Sequence, residues 1–328
     1  MLENNVAHVI ISVQHLLPKR KEEIVNLCLK HNTKILNVPP VSSWINGELS
    51  FRQIKKIRIE ELSGREHINF DQKNIRQQVQ DKTVLVTGAG GSIGSELVRQ
   101  LSQFNLKKII LLDIAESPLY EMEIELNNVF HLRSFETVIG DVRNNDSMGN
   151  VFRKFSPEIV FHAAAYKHVP VMEWHPSEAV MTNVLGSKIM ADLSVRHGVK
   201  KFVMISTDKA VNPTNVMGAS KRIAEMYVQS LNKEFQTKFV TTRFGNVLGS
   251  NGSAIQLFKQ QIEKGGPVTV THPDITRFFM TIPEACQLVL EAGAIGNGGE
   301  IFVFNMGQSV KISTLAKKMI RLAGLTLG

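Results

Sequence analysis

The sequence predicts a doubly wound α/β protein: a parallel sheet beginning near residue 82, a partial βαβ unit before it and a small C-terminal region after it. Three observations carry this reading. Short apolar runs at 83–87, 108–113, 135–140, 158–164, 200–206 and 238–243 alternate with longer amphipathic stretches, the rhythm of successive βαβ units. The first run passes directly into Gly88-Ala89-Gly90-Gly91-Ser92-Ile93-Gly94 and then into a helix-compatible stretch at 95–104. The 328 residues are also about twice the length expected of one domain, which leaves room for a smaller unit beside the sheet.

Taken in order, residues 1–65 read as strand 9–13, helix 19–30 and strand 34–38, the last stopped by Pro39 and Pro40. One βαβ unit buries too little surface to stand alone, so these residues are expected to be a fragment of an N-terminal nucleotide-binding-like domain that packs on something else. Residues 66–81, rich in Gln, Asn and Lys, read as a polar helix or linker, and 82–244 as the main sheet domain. Beyond it, 245–328 reads as a substrate-binding region, interleaved with the sheet domain and truncated: a loop with Gly249, Asn251 and Gly252, a helix at 253–264, Gly265-Gly266-Pro267, and a helix near 311–325.

An apolar share of 43% and a charged share of 21% are those of a folded globular chain. The net charge of +8 suits an anionic partner, but aromatic residues are only 7% and no Lys/Arg run interleaves with them. Nucleic acid is therefore not expected, and a diphosphate ligand accounts for the same charge. Cys28 and Cys286 stand far apart in no C-x-x-C arrangement, so neither a disulfide framework nor a metal site is expected. No apolar run is long enough to span a bilayer and no signal peptide is evident, so the chain as written reads as cytoplasmic.

The glycine-rich turn has the spacing G-x-x-G-x-x-G over Gly88, Gly91 and Gly94. Its position between a strand and a helix marks a Rossmann dinucleotide site. Glycines let the backbone approach a pyrophosphate, while Ser92 and Ile93 open a helix whose positive end faces that anion. Asp113 closes the second strand about twenty residues on, where a carboxylate binds the adenosine ribose and repels a 2′-phosphate; NAD is expected rather than NADP. Asp141 and Val142 follow the third strand, and Ala163, Ala164 and Ala165 the fourth, where adenine and the nicotinamide half would pass. His162 is read as a packed core histidine with no catalytic role.

The fifth strand ends in Ser206-Thr207-Asp208-Lys209, which puts a carboxylate and an amine side by side at the strand's carboxyl end, a fitting acid/base pair. Met217-Gly218-Ala219-Ser220-Lys221 follows shortly after. Together with HAAAYKHVPVME at 162–173, RFGNVLGSNGS at 243–253 and TRFFMTIPEA at 276–285, these segments resemble the membrane-associated UDP-N-acetylglucosamine 4,6-dehydratases of polysaccharide and glycan synthesis, the CapD type of extended short-chain dehydrogenase. The resemblance covers roughly three-quarters of the chain. In the wider family a Tyr begins Y-x-x-x-K; here Met217 takes that place with Lys221 retained, a departure that the membrane-anchored branch shares.

The resemblance implies loss of water across C5 and C6 of a UDP-hexosamine by internal hydride transfer. Oxidation at C4 is what makes the C5 proton acidic enough to remove. Thr207 is expected to hydrogen-bond the C4 oxygen, Asp208 and Lys209 to supply acid and base, and Lys221 to hold the nicotinamide ribose. Lys167, Asn183, Asn246 and Arg277 are the expected substrate residues. The resemblance also implies a longer, membrane-anchored parent at the cytoplasmic face of the inner membrane, of which this chain would be an excised piece, and a homo-oligomer. Two other readings stay open at this point: a nucleotide-sugar 4-epimerase or reductase on the same scaffold, and an inactive NAD-binding fragment.

Overall fold

The structure is a computed structural model and describes residues 6–13, 16–31, 33–39, 55–56, 72–250 and 252–327. The chain opens with β1 (His8–Ile11), α1 (Pro18–Lys30), β2 (Lys34–Asn37) and β3 (Lys55–Lys56). Next come α2 (Lys73–Val79), β4 (Thr83–Thr87), α3 (Ser92–Leu101), β5 (Lys108–Asp113), α4 (Glu116–Asn128), β6 (Phe135–Ile139), α5 (Asn145–Phe155) and β7 (Ile159–His162). Then follow α6 (Val169–Trp174), α7 (Pro176–Ala179), a π-helical segment Val180–Gly186, α8 (Ser187–Arg196), β8 (Lys201–Thr207), a 3-10 turn Asp208–Ala210, α9 (Val216–Leu231) and β9 (Lys238–Phe244). The last elements are β10 (Asn246–Leu248), α10 (Ala254–Glu263), β11 (Thr276–Arg277), β12 (Phe279–Thr281), α11 (Ile282–Ile295), β13 (Ile301–Val303), β14 (Val310–Lys311) and α12 (Ile312–Leu322).

They form two compact units, and the larger comprises Asn69–Gly245 with Ile282–Asn305. Its seven-stranded sheet runs β13-β9-β8-β7-β4-β5-β6, every pair parallel. β4 reads Thr-Val-Leu-Val-Thr and is buried at every position, as a central strand covered on both faces must be. Phe152, Phe161, Phe202 and Phe239 are fully buried, and the Phe202 and Phe239 rings lie 5.4 Å apart. α5 and α9 start at Asn144 and Asn215, whose side chains accept from the N–H groups of Ser147 and Gly218, caps worth about 1 kcal/mol each. The strand order reverses between β4 and β7, so the carboxyl ends of those two strands mark where this fold binds ligands.

Two of the expected boundaries change. Residues 282–305 do not belong to the C-terminal region: β13 pairs with β9 as the seventh strand, Ile301 opposite Thr241, and α11 packs beside α2 and α3. At 73–79 the expected polar helix or linker is the helix α2, with Ile75 and Val79 buried, and it belongs to the larger unit; residues 66–71 lie outside the described residues. The smaller unit comprises Met1–Ile68, Asn246–Thr281 and Met306–Gly328. The N-terminal βαβ fragment therefore shares one core with the C-terminal region: Val25, Cys28 and Leu29 of α1 pack with Phe258, Leu315 and Met319, and Lys318 pairs with Glu22 at 2.8 Å. β1 and β2 pair in parallel, and β3 joins β2 antiparallel. No helix among the described residues is long and apolar enough to cross a membrane.

Candidate active site

The site in the larger unit is built where β4 turns into α3. Gly88 has φ +67°, and a Cβ there would stand 2.7 Å from the Ala164 nitrogen, so only glycine lets the turn lie against the backbone after β7. A Cβ on Gly94 would come within 2.0 Å of the Gly88 oxygen, which fixes the first turn of α3 against the loop. Gly91 is the residue before the helix and donates to the Gly88 carbonyl at 3.0 Å; Ser92 and Ile93 form the first turn, at the positive end of the helix. The resulting cradle of backbone and helix terminus has the shape and polarity a pyrophosphate requires.

Around this cradle Asp113, at the end of β5, accepts from the N–H groups of Gly90 and Ala115, each at 2.9 Å. Its carboxylate thus faces the glycine loop, as a ribose-binding residue should. Asp141 is gripped by Arg143, whose Nε lies 2.8 Å from Oδ2, and this pairing holds the carboxyl below the usual carboxylate range. Arg143 also reaches Glu178 at 2.8 Å, a link that no local motif signals. Val142 is buried, and a Cβ on Gly186 would meet it at 2.8 Å. Ala163, Ala164 and Ala165 lie at the carboxyl end of β7; Ala164 donates to Thr87 Oγ1 at 3.3 Å.

His162 is fully buried, hydrogen-bonded to Thr87 through Nδ1 at 2.8 Å and to Ser187 through Nε2 at 3.0 Å. Burial, with Lys221 as a nearby charge, pulls its pKa down to about 3, so the ring is neutral and ties β4 and β7 to α8.

The carboxyl end of β8 carries the acid/base candidates. The Thr207 hydroxyl donates to Asp208 Oδ1 at 3.0 Å and accepts from the Lys209 N–H at 3.4 Å, while Lys209 Nζ meets the same Oδ1 at 3.0 Å. Asp208 and Lys209 remain 46% and 29% exposed in their side chains, so a ligand can reach both. Gly218 explains how α9 approaches this turn: a Cβ there would stand 2.2 Å from the Lys209 carbonyl oxygen. One turn along α9, Lys221 is 4% exposed, and burial lowers its pKa to about 8 against the opposing pull of Glu225. Glu225 is itself fully buried and held by Arg243, Nε to Oε1 at 2.8 Å, and by Arg222 at 3.2 Å. Met217 is buried with Met172 and Ala179 in a small apolar cluster, a packing residue with no proton to exchange.

The expected substrate residues fare differently. Asn183 is fully buried in the π-helical segment; its oxygen accepts from Tyr166 N–H at 2.8 Å, and its amide donates to the Tyr166 carbonyl and Ser220 Oγ at 3.0 Å each. It clamps the loop after β7 to α9 and has no amide hydrogen left for a sugar. Lys167 is exposed in that same loop, next to the clamped Tyr166. Asn246 and Arg277 lie in the other unit, on β10 and β11, and the exposed Arg277 donates to the Thr276 carbonyl at 2.9 Å.

Residues 84–328 match the family of polysaccharide biosynthesis proteins. The chain belongs to this family. It is 52% identical over 321 residues to the capsular polysaccharide biosynthesis protein CapD of Staphylococcus aureus, covering 97% of this chain and 54% of that protein. Against the probable polysaccharide biosynthesis protein EpsC of Bacillus subtilis the identity is 48% over 323 residues, covering 98% of this chain and 54% of the relative. The chain thus spans about half the length of these two relatives. Among solved structures, Pen from Bacillus thuringiensis superposes with a TM-score of 0.71 at 34% identity, covering 76% of this chain and 77% of that one. The dTDP-glucose 4,6-dehydratase DesIV of Streptomyces venezuelae, solved with NAD bound, has a TM-score of 0.68 at 22% identity over 74% of this chain and 81% of its own, a likeness of fold. The resemblance read from the motifs and the Rossmann sheet predicted from the strand rhythm both agree with these findings.

Proposed function

We propose that this member of the polysaccharide biosynthesis family is the catalytic part of an NAD-dependent UDP-N-acetylglucosamine 4,6-dehydratase. The observation that carries the reading is the Thr207-Asp208-Lys209 turn, with its carboxylate and amine 3.0 Å apart at the carboxyl end of β8, combined with a buried methionine where a proton-transferring phenol would otherwise stand. Relatives named for polysaccharide biosynthesis, and a fold shared with a dTDP-glucose 4,6-dehydratase solved with NAD, support the reaction class and the cofactor.

Gly88, Gly91, Gly94, Ser92 and Ile93 would hold the cofactor's diphosphate, Asp113 its adenosine ribose, Asp141 and Val142 the adenine end, and Ala163, Ala164, Ala165 and Lys221 the nicotinamide half. When bound, the nicotinamide supplies a reversible hydride acceptor for C4 and donor for C6. Thr207 orients the C4 oxygen and Asp208 accepts its proton. That proton neutralises the carboxylate beside Lys209, and Lys209 passes one proton to solvent to stand as the free amine. Lys209, as the free amine, then removes the C5 proton while Asp208 returns its proton to the C6 hydroxyl, which leaves as water. Hydride return to C6 is matched by protonation of C5 from Lys209, and Lys209 then regains from water the proton it first released, so carboxylate and ammonium end as they began. Within the larger unit, Lys167 is the residue we assign to the UDP-sugar, its cation pairing with the diphosphate.

Incubation with UDP-N-acetylglucosamine tests the proposal. A product lighter by one water, with C4 deuterium moved to C6 and solvent deuterium at C5, is the expected result. An isomer of unchanged mass would instead establish 4-epimerisation, the activity for which a Rickettsia bellii relative 40% identical over 250 residues is named.

A further inference from the structure

The parallel sheet has a second end, and its chemistry differs from the first. Lys82, Lys107, Lys108, Lys200, Lys201 and Lys238 stand at, or one residue before, the first positions of β4, β5, β8 and β9, all at the amino edge. Crossover helices run back against the strands, so the last turns of α5, with Arg153 and Lys154, and of α8, with Arg196, end at the same edge. The carboxylates at this edge include Glu158, just before β7, Glu300, just before the outer strand β13, and Glu136 of β6, which pairs with Lys108 at 3.2 Å.

Within this edge lies a cleft of about 680 Å³, lined by Lys82, Lys200, Lys201 and Lys238 together with Ile159 and Phe235, in the size range of small-molecule sites. Its charges are incompletely balanced. Lys82 and Lys200 share one carboxylate, Glu158, at 3.2 and 2.7 Å. Lys201 donates to the carbonyls of Gly293 and Gly296 at 2.6 Å each, which leaves its third N–H unspent. Lys238 has no carboxylate within ion-pair distance among the described residues. Gathering like charges costs free energy that a multivalent anion recovers, and low-dielectric walls concentrate the field. Phe235 is 43% exposed on the wall and offers a flat apolar surface beside the cations.

We propose that this amino-edge cleft is a second ligand site, separate from the glycine-loop site, that takes a phosphorylated small molecule: the phosphate on Lys200, Lys201 and Lys238, an apolar or aromatic portion on Phe235. The proposal does not depend on the dehydratase reading, because the cleft lies at the opposite end of the strands from Thr207-Asp208-Lys209.

The test uses the protein with its dinucleotide site saturated by NAD and inorganic pyrophosphate as the probe, followed by amide chemical shifts. Saturable shifts at residues 198–201 and 236–238 are expected. Lys200→Gln with Lys238→Gln, two surface changes, should weaken pyrophosphate binding at least tenfold and leave NAD affinity within twofold. Absence of shifts at those residues, or shifts that the double substitution leaves unaltered, overturns the site. Binding to acidic phosphatidylglycerol vesicles with no saturable response to free pyrophosphate also overturns it, since that result describes a flat basic face and not a cleft.

Discussion

Gly218→Ala isolates the contact that sets the Asp208–Ala210 turn, to which the proposal assigns the chemistry. The new Cβ would begin 2.2 Å from the Lys209 carbonyl oxygen, about 0.8 Å inside the closest approach that real Cβ atoms show. Both partners are backbone, so relief requires the start of α9 or the Asp208–Ala210 turn to move by roughly that distance. Misplacing a reacting group by about 1 Å costs on the order of 100-fold in rate, equivalent to about 2.7 kcal/mol of barrier. Stability should change less: the strain of about 1–3 kcal/mol is partly offset by the ~1 kcal/mol helix preference of Ala over Gly. The assay is kcat for loss of water from UDP-N-acetylglucosamine, with thermal unfolding and NAD affinity measured beside it. The reasoning requires kcat to fall by one to two orders of magnitude with NAD affinity nearly constant. A variant that folds normally and keeps kcat within threefold of the parent would mean that the turn on β8 is not the seat of the chemistry.

Asp208→Asn should abolish reduction of the bound cofactor in a single turnover, read by its near-ultraviolet absorbance, whereas Lys209→Ala should allow C4 oxidation and stall before water leaves; normal reduction in Asp208→Asn would refute the shared-carboxyl scheme. Asp113→Asn should narrow the preference for NAD over NADP at least tenfold in titration, and a parent protein that binds both equally would show that Asp113 does not face the ribose. Lys221 carries a pKa of about 8 when folded against an ordinary 10.5, so between those values the unfolded chain holds the proton that the folded one has lost, and stability should gain from this group as pH rises through the window. Urea unfolding of Lys221→Met across pH 8–10 should lack that gain; equal slopes in parent and variant would place the ammonium in water.

Much of this architecture was legible because its signals are local. The strands of the main sheet are short apolar runs separated by amphipathic helices, and the glycine turn, Asp113 and the S-T-D-K segment each sit within a few residues of the strand end that positions them. The failures share a physical cause, which is dependence on partners distant in sequence. Ile301–Val303 is a three-residue edge strand only partly buried, and nothing in it announces pairing with β9. The N-terminal unit needed a partner, yet no pattern in α1 points to α12. Asn183 resembles a site residue by type and neighbourhood, but its amide is consumed by Tyr166 and Ser220, and only three-dimensional hydrogen bonding reveals that. The Arg143 and Arg243 pairings were hidden for the same reason.

The buried polar groups near β8 also separate structure from function. His162 is neutral with both ring nitrogens bonded, Asn183 uses its oxygen and both amide hydrogens, and the Glu225 carboxylate is shared by Arg243 and Arg222. Each is buried at little cost because its partners are built in. Lys221 differs in that its burial is not compensated: at 4% exposure, desolvation outweighs the pull of Glu225 and lowers its pKa to about 8. Its pKa displacement corresponds to a penalty on the order of 3 kcal/mol for keeping the charge at neutral pH. Only one turn of α9 separates Lys221 from Gly218, whose bare backbone touches the Asp208-Lys209 turn. That proximity puts the Lys221 ammonium and the Asp208-Lys209 pair on the same short stretch of chain, which is where the proposed reaction requires them.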